Sequence, residues 1–299
     1  MEEKTTAAAG PSGVKILVCI LLSLALMVLA QTLALIIAEL PLSLGAPLAL
    51  CNAIAGLLYM AFAAAGTLLL CRSFLKIPAA RLRISEISIK PFWLLAALLM
   101  PGLVIAAYML TGGHWQAAQL SGEAAAAAAA GAVFFYGMAA GVVEELVFRG
   151  LIMGCLEQRL NIKAAVIIPS VLFGLIHILG NSMSFLSMLQ LLIAGSAVGI
   201  LFSLIAIESG SVWNSALVHG VWNMALVGGL LHIGRSPQSG AVFNYIIGSD
   251  SFLISGGDFG IEASVISIGV YLVFIAAALI RLKNKSAGQT WAAGEKQHK

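Results

Sequence analysis

The feature that most limits what this chain can fold into is the spacing of its apolar runs. Eight stretches, at positions 14–38, 48–71, 92–110, 124–156, 164–179, 187–207, 212–231 and 263–280, carry almost no charge. Most approach or exceed the roughly 20 residues an α-helix needs to cross bilayer hydrocarbon. Within hydrocarbon every backbone N–H and C=O must find its partner inside the protein, and helices do so within one segment. The expected fold is all-α, a polytopic membrane helix bundle of about eight transmembrane helices. Composition agrees, because 61% of the 299 residues are hydrophobic and only 10% are charged, against about a quarter in soluble domains.

Lysine and arginine set the expected orientation. If Lys4 and Lys15 are cytoplasmic, so are Arg72, Lys76, Arg81, Arg83 and Lys90, then Arg159 with Lys163, and finally the run from Arg281 to Lys299. The opposite loops hold only Arg235. An odd number of crossings would strand a basic cluster on the wrong side, so the chain is expected to be N-in and C-in. The layout that follows is a disordered tail at 1–13, one transmembrane domain at 14–281 with a motif-bearing core at about 124–232, and a cytoplasmic tail at 282–299. This describes an integral multi-pass protein of the cell membrane. Its charge of +3 is spread through loops rather than gathered on one face, so membrane lipid is the expected partner and nucleic acid is not. Cys19, Cys51, Cys71 and Cys155 lie in or beside apolar runs without paired spacing, and are expected as free, buried thiols. The Gly- and Ser-rich loop 234–262 contains an apolar patch at 243–247; it either dips into the interface or lies over an entrance.

Against this background Glu144, Glu145 and Arg149 stand out, because charges inside a membrane segment are costly and usually mark a working site. Glu145 and Arg149 are four apart, so they share a helix face in the favourable order for an ion pair. The same stripe includes Gly137 and Gly141, a small-xxx-small pattern that admits a close neighbouring helix. Glu144 points elsewhere, with no local partner. Two later helices carry further polar residues: Phe173 and His177 share one face, and His219 and Asn223 share another. At 1.5 Å per residue, Glu144 lies about 20 Å, His177 about 21 Å and His219 about 14 Å from the nearest cytoplasmic helix end, so the three can meet. Glu39, Glu208 and His232 sit near helix ends and are expected to be solvated.

A desolvated carboxylate is a competent general base and an imidazole can share or relay the proton. Amide and imidazole N–H groups can hold an oxyanion. The set therefore suits hydrolysis of an amide by activated water in a wet intramembrane pocket. His177, His219 and Glu144 also have the composition of a catalytic zinc site with one position left for water. The familiar H-E-x-x-H spacing is absent, so Zn2+ or another divalent metal remains undecided.

In chain order, Glu144-Glu145-x-x-x-Arg149, Phe173-x-x-x-His177 and His219-x-x-x-Asn223 on successive hydrophobic helices resemble the CPBP, or ABI, family of intramembrane proteases. That family includes the type II CAAX prenyl endopeptidases and bacteriocin-processing or immunity proteins. The resemblance covers about 132–230. It implies that Glu144 and His177 activate water, that His219 and Asn223 hold the oxyanion or a metal, and that Glu145 and Arg149 shape the site, with a peptide or membrane-associated protein as substrate. It leaves the substrate's identity and the oligomeric state open. Two other functions use the same residue types: a proton-coupled membrane transporter, against which the chain shows no repeated halves, and a non-catalytic membrane scaffold or immunity protein of the same fold.

Overall fold

The computed structural model describes residues 10–84 and 87–297, with side chains as far as 287. The expected disordered tail falls largely outside the described residues. Gly10 to Ser12 lie at the protein's edge, where the Pro11 carbonyl accepts from Arg159 at 3.3 Å and Ser12 caps the first helix by accepting from the Lys15 N–H.

Among the described residues, six helices are long and apolar enough to cross a membrane. They are α1 (Gly13–Ser43), α2 (Leu48–Leu75), α3 (Pro91–Leu110), α4 (Gly122–Glu157), α6 (Phe185–Ser209) and α8, which runs over Val265–Gln297 with its apolar span at Val265–Ala287. Two shorter helices complete the bundle: α5 (Ile162–Ile176) and α7 (Val212–Trp222), the latter prolonged by a π-wound turn at Asn223–Val227. The eight expected helices are thus all present, and α8 continues through most of the segment expected as a tail. Large apolar side chains on the bundle exterior, among them Leu29, Leu98, Ile193 and Val273, are more than half exposed. A girdle of that extent is stable only against lipid.

Close approach of helices is secured by glycines. The Cβ that Gly141 lacks would stand 2.7 Å from Gly220 Cα, and the one that Gly195 lacks 2.7 Å from Gly174 Cα. Contacts between small residues replace the hydrophobic drive that is missing between helices in lipid. Ser121 caps α4 by accepting from Ala124 N–H. Within α4 only Gly141–Glu145 is regular α-helix at its centre, flanked by π-wound Gly131–Ala140 and Leu146–Ile152. Such widened turns re-aim the side chains that follow, and they recur at functional sites.

At the end of the bundle away from the chain termini lies a small sheet that the apolar patch at 243–247 did not announce as such. β1 (Gly113–Ala117), β2 (Leu231–Gly234) and β3 (Phe243–Ile247) form it in the order β1-β3-β2, antiparallel on one side and parallel on the other. A short helix, Phe252–Ser255, and a 3-10 turn, Ile261–Ala263, lead from it into α8. The four cysteines are free and buried, as expected. Glu208, by contrast, is not solvated. It is 4% exposed because Trp93 Nε1 donates to it at 2.7 Å while Arg281 and Lys90 lie 3.3 and 3.8 Å away, so a buried ion cluster replaces water at that helix end.

Candidate active site

α4 supplies two adjacent glutamates that face different partners. Glu145 is fully buried, and its Oε1 accepts from Arg149 at 2.7 Å. Arg149 also donates to the Gly199 carbonyl of α6 at 3.0 Å, and its guanidinium lies 4.8 Å from the Phe173 ring centroid and 5.2 Å from that of Phe202. One cation is thereby tied to three helices. Arg149 Nε and Glu145 Oε2 find no hydrogen-bond partner among the described residues, yet a buried pair held in this way is expensive to break.

His219 of α7 joins the two carboxylates. Its Nδ1 is 3.1 Å from Glu145 Oε1, and its Nε2 is 3.7 Å from Glu144 Oε2. The ring stacks on Phe202 at 4.6 Å and meets Phe173 edge-on at 5.9 Å. Glu144 does have a neighbour, then, supplied by another helix rather than its own. Its Oε2 is nevertheless buried without a hydrogen-bond partner among the described residues.

His177 follows the last turn of α5, where its Nδ1 lies 2.7 Å from the Phe173 carbonyl. A carbonyl oxygen only accepts, so Nδ1 carries the proton and Nε2 of the neutral ring is left with a lone pair. The same logic applies to His219, whose Nδ1 faces a carboxylate. Both imidazoles are fixed through Nδ1 and keep Nε2 for other work. Asn223 donates one amide hydrogen to the Tyr136 carbonyl at 3.2 Å, which leaves the other free.

Glu144, His177, His219 and Asn223 all line one cavity of about 290 Å³, together with Phe173. Gln31, Tyr59 and Glu262 line it too, and nothing in the sequence marked them. Gln31 and Tyr59 sit singly in apolar helices, and Glu262 resembles a solvated loop residue until the fold turns it inward. Glu262 Oε2 accepts from Trp222 Nε1 at 3.2 Å. Burial pushes its carboxyl above the usual glutamate range, an effect that the Trp222 N–H opposes.

The donor set does not fit a metal. Among the described residues no three His, Cys, Asp or Glu side chains converge closely enough to hold one. His177, His219 and Glu144, the ligands expected if a metal is bound, share a cavity without forming such a group.

A helical bundle that spans a membrane and encloses acids and imidazoles in a cavity defines a multi-pass membrane protein with a polar site between its helices. Residues 125–225, the motif-bearing segment and about a third of the chain, match the family described as type II CAAX prenyl endopeptidase Rce1-like. No curated protein and no solved structure matches the chain.

Proposed function

We propose that the chain is an endopeptidase that cleaves its substrate with a water molecule activated by Glu144 and His177 and without a metal. Glu144 takes a proton from water as the oxygen attacks the peptide carbonyl carbon. The resulting oxyanion is held by the free amide hydrogen of Asn223 and by Nε2 of His219. Donation from Nε2 requires the doubly protonated ring, and that form brings the buried group of Glu144, Glu145, Arg149 and His219 to zero net charge. Collapse breaks the C–N bond, and the proton held by the carboxylate passes to the leaving amine, with His177 Nε2 as relay. Glu145 and Arg149 orient His219 rather than touch the substrate.

The observation that carries this proposal is the convergence of four polar groups from three helices on one cavity, with Nδ1 of each imidazole already engaged. The test is cleavage of membrane peptides by purified protein in nanodiscs, followed by mass spectrometry. Glu144→Gln and His177→Asn should each remove cleavage while leaving the protein folded, and activity should survive exhaustive chelation. Solute flux without peptide cleavage, unaffected by Glu144→Gln, would instead identify a transporter.

A further inference from the structure

A second gathering of charge, apart from the cavity, is built around Glu208, where the end of α6 meets the start of α3 and the last turns of the apolar span of α8. Trp93 Nε1 donates to one carboxylate oxygen at 2.7 Å and Arg281 to the other at 3.3 Å. Nζ of Lys90 and Nζ of Lys285 each donate to the Glu208 backbone carbonyl at 3.1 Å. None of these side chains lines the cavity.

The charges at this corner do not balance. Three cations surround one carboxylate, and among the described residues Glu208 is the only acid that acts on Lys90, against Lys285 and Arg281. The carbonyls at the end of α6 add the equivalent of about half a negative charge, so more than one positive charge is unmatched. Burial pushes the Lys90 ammonium below the usual lysine range; Glu208 opposes that shift, and the two neighbouring cations add to it. Donors are in surplus as well. An ammonium has three and a guanidinium five, whereas each of these side chains spends one on Glu208, and Arg281 Nε is buried with no partner among the described residues. An anion with several acceptor oxygens would satisfy both the charge and the donors.

The surplus also lies where such an anion is at hand. Lys90 directly precedes the apolar run of α3, and Arg281 is the first charge after the uncharged run 263–280 of α8. Phe92 packs against Arg281, its ring centroid 4.3 Å from the guanidinium carbon. Next to these cations along the helices, Leu94 and Leu95 of α3 and Leu279 and Ile280 of α8 are about half exposed. Cationic donors at the edge of apolar surface suit a ligand with a charged head and acyl chains better than a free anion. The connection leading to Lys90 carries Arg72, Lys76, Arg81 and Arg83, which marks this end as cytoplasmic, the side whose leaflet is rich in anionic lipid.

We infer that Lys90, Arg281 and Lys285 form a binding site for the phosphate headgroup of one anionic phospholipid of the cytoplasmic leaflet, and that this lipid ties α3 and α8 to the end of α6.

The test uses the full-length protein in neutral detergent, titrated separately with phosphatidylglycerol, phosphatidylcholine and inorganic phosphate. Native mass spectrometry counts bound lipid, and the melting temperature is followed in parallel. One phosphatidylglycerol should bind ahead of any phosphatidylcholine and raise the melting temperature. Lys90→Gln/Lys285→Gln should weaken that binding roughly 30-fold, about fivefold for each charge removed. Arg72→Gln/Lys76→Gln takes the same charge from the same end and should leave the binding within about twofold of native. Equal losses in the two double variants would reduce the effect to general attraction by a basic surface and overturn the site. Glu208→Gln separates lipid binding from packing. Without lipid it should melt earlier, because the cations lose their buried anion, yet it should bind phosphatidylglycerol at least as tightly as the native protein. Loss of lipid binding in that variant would reduce the cluster to an internal ion network. Protection by inorganic phosphate equal to that by phosphatidylglycerol, or equal binding of phosphatidylcholine, would also overturn the inference.

Discussion

Gly141→Ala tests whether the contact between α4 and α7 sets the catalytic geometry. The added Cβ would stand 2.7 Å from Gly220 Cα, 2.8 Å from Gly220 N and 3.3 Å from the Ala216 carbonyl oxygen. All three are backbone atoms, so no side chain can turn aside. Ordinary carbon–carbon contact is reached only if the helices part by roughly 0.7 Å. α4 carries Glu144 and Glu145, and α7 carries His219 and Asn223. The separation therefore falls on the 3.1 Å and 3.7 Å gaps between His219 and the two carboxylates, and it takes the shorter one out of hydrogen-bond range.

Overpacking of this kind costs about 1–3 kcal/mol in stability. A displacement approaching 1 Å costs on the order of 100-fold in rate. Gly141→Ala is therefore expected to lower both the melting temperature in detergent and the rate of Glu144-dependent cleavage, the latter by roughly ten- to a hundredfold. Gly102→Ala is the control, because its Cβ would meet nothing within 4 Å. A variant that melts early yet cleaves at the native rate would refute the link between helix spacing and site geometry, and native behaviour in both assays would refute the close contact itself.

Glu144→Gln keeps the volume and removes the base, so kcat should fall about 10²–10⁴-fold without a change in melting temperature. Arg149→Met strips the fully buried Glu145 of its guanidinium and leaves it only His219 at 3.1 Å, a loss of about 3–5 kcal/mol; accumulation in the membrane should drop, and the double variant Glu145→Met/Arg149→Met should recover part of it. Asp258 accepts from the Ser184 N–H at 2.8 Å, and this bond, together with those from the Ser187 and Ser184 hydroxyls, holds its carboxyl below the usual range. A group whose folded pKa is depressed contributes stability above its unfolded pKa and loses it as pH falls through the folded value. Hydrogen exchange over 178–186 and 250–262 should therefore quicken as pH drops below the ordinary aspartate range, and Asp258→Asn should exchange quickly already at neutral pH. Equal exchange in both proteins across that window would remove Asp258 as the tie between the 250–262 segment and the bundle.

What the sequence could reveal depended on the range of the forces involved. Helix number and extent follow from a local requirement, backbone satisfaction over about 20 apolar residues, and could be read from runs such as 48–71 without knowledge of any neighbour. The Glu145–Arg149 pair is equally local, set by four residues of helical rise. The sheet was out of reach because β1 and β3 pair across more than a hundred intervening residues, with Trp115 opposite Tyr245. The position of His219 between Glu144 and Glu145 depends on how closely Gly141 lets α7 approach, which no spacing along either helix encodes. The metal was left open for a related reason. Two imidazoles and a carboxylate have the composition of a zinc site, but whether they gather into one depends on packing between helices, and among the described residues no three such side chains do. Glu262 shows the converse case, a residue with no visible signal that the approach to α8 turns into the cavity beside Trp222. Composition names the chemistry a chain can perform, but the hydrogen bonds that each ring has already made decide which part of it remains available.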